Sequence, residues 1–281
     1  KGLLDRHGTG RIMFRNSRHN IKGFPERQLL AESLPLPAGY PNCAGFPGLT
    51  PEIQHEASTT ESDAWWKLDP RVTWLIDFLK SNKSEKVLVI CAQATTAMRL
   101  DDVLFEAEGL RSTVFHEGMS IVERDKAAAY FADEENSAQT LICSEIGSEG
   151  RNFQFAHHLV LFDLPANPDL LEQRIGRLDR IGQTETIKIH VPYLSGTAQE
   201  NMFNWYHNSF NAFEQTSTTA RIVANENKEL LQQILWSNSD KNQLDAFIKD
   251  CTAKNEQLKQ DVEKGRDRLL ELNSSGGGPA N

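Results

Sequence analysis

No run of about 18 or more apolar residues occurs in this chain, so no membrane-spanning helix is expected. No secretory signal is visible at the start. Cysteines are few: Cys43, Cys91, Cys143 and Cys251 lie far apart, with no Cys-x-x-Cys pair. A disulfide framework or a cysteine zinc site is therefore not expected, and a reducing compartment fits. Cys91 and Cys143 end apolar strand-like runs, where a buried free thiol is the ordinary reading. His157 and His158 are adjacent, so on a strand they would face opposite ways; no metal site is assigned. An excess of positive charge is also missing. The net charge is −9, which argues against a dominant nucleic-acid surface but leaves room for a local basic groove. Finally, there is no Gly-x-x-x-x-Gly-Lys-Ser/Thr and no Gly-Lys pair anywhere, so no phosphate-cradling P-loop.

What is present describes a soluble globular protein. The chain has 281 residues, 39% hydrophobic and 25% charged, enough for two domains or one with a large appendage. Lys1-Gly2-Leu3-Leu4 reads as a cut inside a longer protein. Residues 1–64 hold no long periodic segment, although Arg11–Arg15 could form one strand. Leu34-Pro35-Leu36-Pro37 reads as extended chain. The stretch from Pro41 to Pro51 reads as loop or linker.

From Trp65 the texture changes to alternation. Asp69-Pro70 starts a helix with Val72, Leu75, Ile76 and Leu79 on its apolar face. Apolar strands are expected at 87–91, 112–115, 140–143, 159–162 and 186–191. Helices are expected at 95–108, ending at Gly109, and at 120–133, where Ser120 and Glu123 form a capping box. Near-continuous apolar strands alternating with helices predict an α/β fold: a parallel β-sheet covered by helices on both faces. Ligands of such sheets bind beyond the carboxyl ends of the strands. After Thr197 the chain turns helical, with Met202, Trp205, Tyr206, Phe210 and Phe213 at core spacing over 198–215. A long amphipathic helix follows over 240–272, with Leu244, Phe247, Cys251, Leu258, Val262 and Leu269 on one stripe. Ser274 to Pro279 reads as a flexible linker.

The chemistry concentrates at Gln173-Arg174-Ile175-Gly176-Arg177-Leu178-Asp179-Arg180-Ile181-Gly182-Gln183. Pro168-Asp169 starts a helix that Gly182 would end. At about 100° per residue, Leu171, Ile175 and Leu178 form one apolar stripe. Gln173, Arg177 and Arg180 fall opposite, and Gly176 beside them leaves space for a close ligand. The plainer alternative is a solvated basic face. Two further stretches follow strands. Ser144-Glu145-Ile146-Gly147-Ser148-Glu149-Gly150-Arg151-Asn152 suits phosphate or sugar approach, or is a simple turn. His116-Glu117-Gly118-Met119-Ser120, with Glu123-Arg124, puts a hydroxyl at a helix start, where phosphate donation and plain capping are both open.

Segment 173–183 resembles motif VI of superfamily two helicases and translocases, and within it the SWI/SNF type. Residues 144–152 resemble motif V, with Ser148 and Arg151 departing from its usual Gly and Leu. Ala92-Gln93-Ala94-Thr95 resembles motif IV, and 116–124 the block between motifs IV and V. The resemblance covers about residues 65–215 in order. It implies a RecA-like lobe followed by a mainly helical extension, with ATP and Mg2+ as cofactors. Arg177 and Arg180 are then arginine fingers. Gly147, Gly150, Asn152 and Gln173 contact ATP. Gln93, His116, Ser120, Arg124 and Ser144 contact nucleic acid. Arg174, on the flank, would matter less and brace the motif V loop.

The surroundings of 115–119 and 144–155, with residues 5–24 and 265–271, are similar to the bacterial RNA polymerase-associated branch of that family. That resemblance implies RNA polymerase, double-stranded DNA or DNA/RNA, and a first RecA-like lobe as partners, with no membrane. It implies a cytoplasmic, nucleoid-associated place. It divides the chain into 1–64 (trailing edge of the first lobe and linker), 65–215 (second lobe) and 216–281 (start of a helical spacer). The phosphate-cradling lysine and the metal ligands belong to the first lobe, so this chain alone is expected to be inactive. The competing readings are a non-catalytic docking module for RNA polymerase and an ordinary small-molecule α/β enzyme; the latter requires a complete active site that the sequence does not offer.

Overall fold

A computed structural model describes residues 24–40, 45–58, 64–145, 153–236 and 241–275. The strands are β1 (Arg27–Leu34), β2 (Val87–Cys91), β3 (Ser112–Phe115), β4 (Thr140–Ser144), β5 (His158–Leu161) and β6 (Ile187–Leu194). Helices α1 (Pro51–Glu56), α2 (Trp65–Leu68), α3 (Pro70–Ser81), α4 (Ala94–Glu108), α5 (Ile121–Ala132) and α6 (Pro168–Ile175) precede β6. After it come α7 (Ala198–Phe210), α8 (Ala220–Glu226), α9 (Lys228–Trp236) and α10 (Lys241–Ser275).

The strands form one sheet of order β1-β6-β5-β2-β4-β3, and every described pairing is parallel. Period-two alternation sends residues of one strand to two cores. Leu88 and Ile90 of β2 join Leu141, Leu159, Phe131 and Leu171 on one side. Val87, Val89 and Cys91 join Val72, Leu75, Leu79, Leu100 and Leu104 on the other. Helices α3 and α4 thus cover one face, and α5, α6 and α7 the other. Each fully buried aliphatic side chain contributes about 1.5–3 kcal/mol.

Capping signals in the sequence set the helix ends. Asp69 caps α3, its carboxylate accepting from the Arg71 amide at 2.9 Å. Gly109 ends α4 at φ 60°, a left-handed conformation in which glycine is at ease. Ser120 and Glu123 form the reciprocal capping box of α5. In the extension, Leu244, Phe247 and Cys251 of α10 are buried, with Phe247 stacked 6.5 Å from Trp205 of α7. The expected stripe stops early, however: Leu258 is only partly buried and Val262 is exposed.

Two elements differ from expectation. Residues 27–34 were not expected as a strand of this sheet, yet β1 pairs with β6 along its whole length. Its sequence, RQLLAESL, favours helix by composition; edge pairing overrides that weak preference. Helix α6 ends at Ile175 rather than near Gly182. From Gly176 the chain closes tighter turns, with Arg177 N donating to Arg174 O and Leu178 N to Ile175 O, both at 3.2 Å. Gly182 sits in a later turn at φ 97°. The strand suggested at 11–15, Cys43, the loop at 146–152 and the tail beyond Ser275 lie outside the described residues.

Candidate nucleotide and nucleic-acid site

Strand β2 lies between β4 and β5, so the carboxyl ends of all three lie side by side. Arg174 ties them together. It is 1% exposed, and its Nη1 donates to the Asp163 carbonyl at 2.7 Å and to Asp163 Oδ1 at 3.1 Å. Its Nε donates to Glu145 Oε1 at 3.0 Å, and Nη2 also reaches Glu145 Oε2. The second carboxylate oxygen of Asp163 accepts from the Ala92 amide at 2.7 Å. One guanidinium therefore joins the residues following β2, β4 and β5. Burial alone would lower the Arg174 pKa; the charges of Asp163 and Glu145 outweigh it and raise it. Arg174 is thus the structural hub of the segment rather than a minor flank residue. Its bond to Glu145 does brace the start of the loop after β4.

A second buried arginine supports the same strand ends. Arg71 donates to the Phe162 carbonyl at 3.1 Å, to Glu52 Oε2 at 2.9 Å and to Asp69 Oδ2 at 2.6 Å. Tyr40 donates to Asp69 at 2.7 Å and Thr96 to Glu52 at 3.2 Å. Burial pushes the Glu52 carboxyl up, and the Arg71 charge opposes that rise.

The two expected arginine fingers differ from one another. Arg177 is only 8% exposed and Arg180 is half-buried. The expectation that both lie on a solvent face opposite Leu171, Ile175 and Leu178 fails, because the helix stops before either. The Arg177 charge opposes the burial that pushes the Cys143 thiol up to about 12. Arg180 Nε donates to the Gly176 carbonyl at 3.2 Å. Gly176 serves the backbone here: a Cβ on it would come within 3.1 Å of Glu172 O. Gln173 is exposed on α6, while Gly147, Gly150 and Asn152 lie outside the described residues.

Sequence reasoning missed what holds this segment from below. Arg27, the first residue of β1, makes a two-pronged pair with Glu172, at 2.7 and 3.1 Å, and also bonds Asp179. Asp179 separates Arg177 from Arg180, so β1 anchors the stretch that carries both. Nothing local in the sequence signals a pairing across 152 positions. Downstream, Gln183 donates to the carbonyls of Gln154 at 2.8 Å and Ala156 at 3.1 Å, closing the segment onto the chain that leads from Phe153 to β5.

The expected nucleic-acid contacts gather on the adjoining rim, because β4 also pairs with β3. Gln93 is exposed at the N-cap of α4 and makes no side-chain capping bond there. Ser120 is exposed at the start of α5. Arg124 donates to the carbonyls of Met119 at 3.1 Å and Glu117 at 2.9 Å, which shapes the loop after β3. His116 Nδ1 accepts from the Gly118 amide at 3.2 Å. Ser144 differs from expectation: it is 1% exposed and its hydroxyl donates to Glu117 Oε2 at 2.6 Å. That bond is the main cause holding the Glu117 carboxyl below the usual range.

At the opposite, amino ends of the strands, His157 and His158 do not diverge as expected. β5 starts only at His158, so strand alternation does not govern the pair. Both Nε2 atoms face Glu85 Oε2, at 3.0 and 3.8 Å.

Comparisons with known proteins agree with this geometry. Residues 70–182 match the family described as Helicase conserved C-terminal domain, and 186–281 match RNA polymerase recycling family C-terminal. A SWI2/SNF2 ATPase core from Sulfolobus solfataricus, solved in complex with dsDNA, shares the fold. Its TM-score is 0.52 and its identity 15%, over 75% of this chain and 50% of that one. Residues 70–182 thus resemble the C-terminal lobe of helicases, and the parallel sheet agrees with that fold. Two curated relatives narrow this further. The RNA polymerase-associated protein RapA of Pseudomonas aeruginosa (strain LESB58) is 57% identical over 98% of this chain. That of Sodalis glossinidius (strain morsitans) is 54% identical over 99%. Over nearly its whole length the chain is thus similar to proteins named RapA, and it spans 30% of the length of these relatives.

Proposed function

We propose that this chain is the second motor lobe of an ATP-driven nucleic-acid translocase that associates with RNA polymerase and aids its recycling in transcription. The observation that carries the proposal is the Arg174 hub. It fixes the ends of β2, β4 and β5 and holds the chain that presents Arg177 and Arg180 beside them. Permanently charged guanidinium groups at strand ends suit a nucleotide's phosphates.

The residues fit half of a nucleotide site. Arg177 and Arg180 supply positive charge to the phosphates, and Gln173, Gly147, Gly150 and Asn152 complete this lobe's share. The carboxylates near them, Glu145 and Asp163, are engaged by Arg174, which accords with Mg2+ ligands on a first RecA-like lobe. Bound ATP with Mg2+ would supply the phosphoanhydride that is hydrolysed, and the two lobes would close on it. Gln93, His116, Ser120 and Arg124 contact the backbone of double-stranded DNA or a DNA/RNA duplex along the β3–β4–β2 rim. Ser144 would join them by releasing Glu117.

The lobe proper is 65–215 together with β1, and 216–281 begins the helical spacer. The chain before β1 leads from the first lobe. The protein works in the cytoplasm, at the nucleoid. Measuring ATP turnover by the full-length protein and by this chain alone tests the division of labour. Turnover is expected only in the former; magnesium-dependent turnover by the isolated chain that is lost on changing one of its own residues would overturn the proposal.

A further inference from the structure

The amino end of the sheet, opposite the nucleotide side, holds a cluster that the motor reading does not use. Glu85 precedes β2, His157 precedes the neighbouring β5 and His158 opens it. One ligand atom from each of the three lies within 4.8 Å of the others. His157 Nε2 and His158 Nε2 stand 3.0 and 3.8 Å from Glu85 Oε2. Four ligands placed tetrahedrally at about 2.0–2.2 Å from a zinc-like ion are about 3.4 Å apart, between those two separations.

The second observation concerns His158 itself. Its side chain is 4% exposed, and Nε2 is buried with no hydrogen-bond partner among the described residues. Its other nitrogen, Nδ1, lies 3.0 Å from His190 Nε2, with the two ring planes only 7° apart. When His158 Nδ1 donates its proton to His190, Nε2 is left as a bare lone pair aimed toward a carboxylate. A ring nitrogen oriented by a hydrogen bond on its far side is the usual arrangement of a ligating histidine. Glu85 and His157 are 32% and 24% exposed, so an ion can enter and keep a water in the remaining position.

We propose that Glu85, His157 and His158 bind one divalent transition-metal ion of the zinc class. Two imidazoles and one carboxylate match zinc's preference for nitrogen and oxygen donors. The ion would clamp the entrance of β2 to the entrance of β5.

The test uses the full 281-residue chain, stripped with a chelator and titrated with Zn2+ against a chromophoric competitor. Because His158 is buried, the variants are Glu85→Gln and His157→Gln, each checked by thermal melt without metal. The expected result is one Zn2+ per chain, with affinity reduced by about tenfold or more in each variant. No stoichiometric binding, or a smaller loss in either variant, overturns the site.

Discussion

Arg174 grips Asp163 twice, through the backbone carbonyl at 2.7 Å and the carboxylate at 3.1 Å, while the other carboxylate oxygen of Asp163 holds the Ala92 amide at 2.7 Å. The pair converts the ends of two neighbouring strands and the last turn of α6 into one rigid body.

Removing Arg174 strands two carboxylates at buried or half-buried sites. Arg174→Ala is expected to cost about 3–5 kcal/mol of stability, the range for breaking one side of a buried ion pair. Arg174→Lys should recover only part, because an ammonium cannot serve Nε, Nη1 and Nη2 contacts together. Urea denaturation followed by circular dichroism reads both. A loss below about 1 kcal/mol for the alanine variant would show that the hub is dispensable.

Arg177, Leu178 and Arg180, which follow Gly176, should separate cleanly. Leu178 is fully buried, so Leu178→Ala is expected to cost about 2–5 kcal/mol. Arg180 is half-buried with one bond to a backbone carbonyl, so Arg180→Ala should stay within about 1 kcal/mol of the parent. Arg177→Ala should fall between them, given its burial. Equal losses at all three positions would contradict this order.

Much of the fold is legible in the sequence. The alternation of apolar runs and helices gave the parallel sheet, and the spacing Gln173 to Gln183 gave the segment that carries the arginines. What local pattern could not supply was where α6 stops. Helical periodicity continues through Leu178, but backbone turns starting at Gly176 end it, and Arg177 is buried as a result. Nor could it supply the partners of Arg174 or the hold of Arg27 on Asp179, since those contacts join residues remote in sequence. Edge strand β1 is not legible in the sequence because most of it is exposed, without an alternating apolar face, and its composition favours helix.

Burial raises the thiol pKa of Cys91, Cys143 and Cys251, that of Cys143 to about 12. The thiolate is the reactive form, so these cysteines should resist alkylation in the folded chain and react only on unfolding. Iodoacetamide labelling with peptide mass spectrometry checks each site. Rapid labelling of Cys91 or Cys143 in the native protein would contradict their placement in the sheet.

Nucleic-acid binding by this chain alone should be weak and steeply salt-dependent. The proposed contacts at Gln93, His116, Ser120 and Arg124 are few, and the net charge of −9 opposes approach. Anisotropy titrations of a labelled duplex at rising salt measure it. Tight binding that persists unchanged at high salt would place the interface elsewhere.

Stimulated ATP hydrolysis by full-length protein carrying Arg180→Ala, measured beside its thermal melt, tests the central claim most directly. An arginine finger contributes on the order of 10³–10⁵ in rate, so turnover should fall by about 10³ or more while the melting temperature stays near that of the parent. Near-normal turnover in that variant and in Arg177→Ala would leave the segment a structural brace, and the motor assignment of its arginines would be wrong.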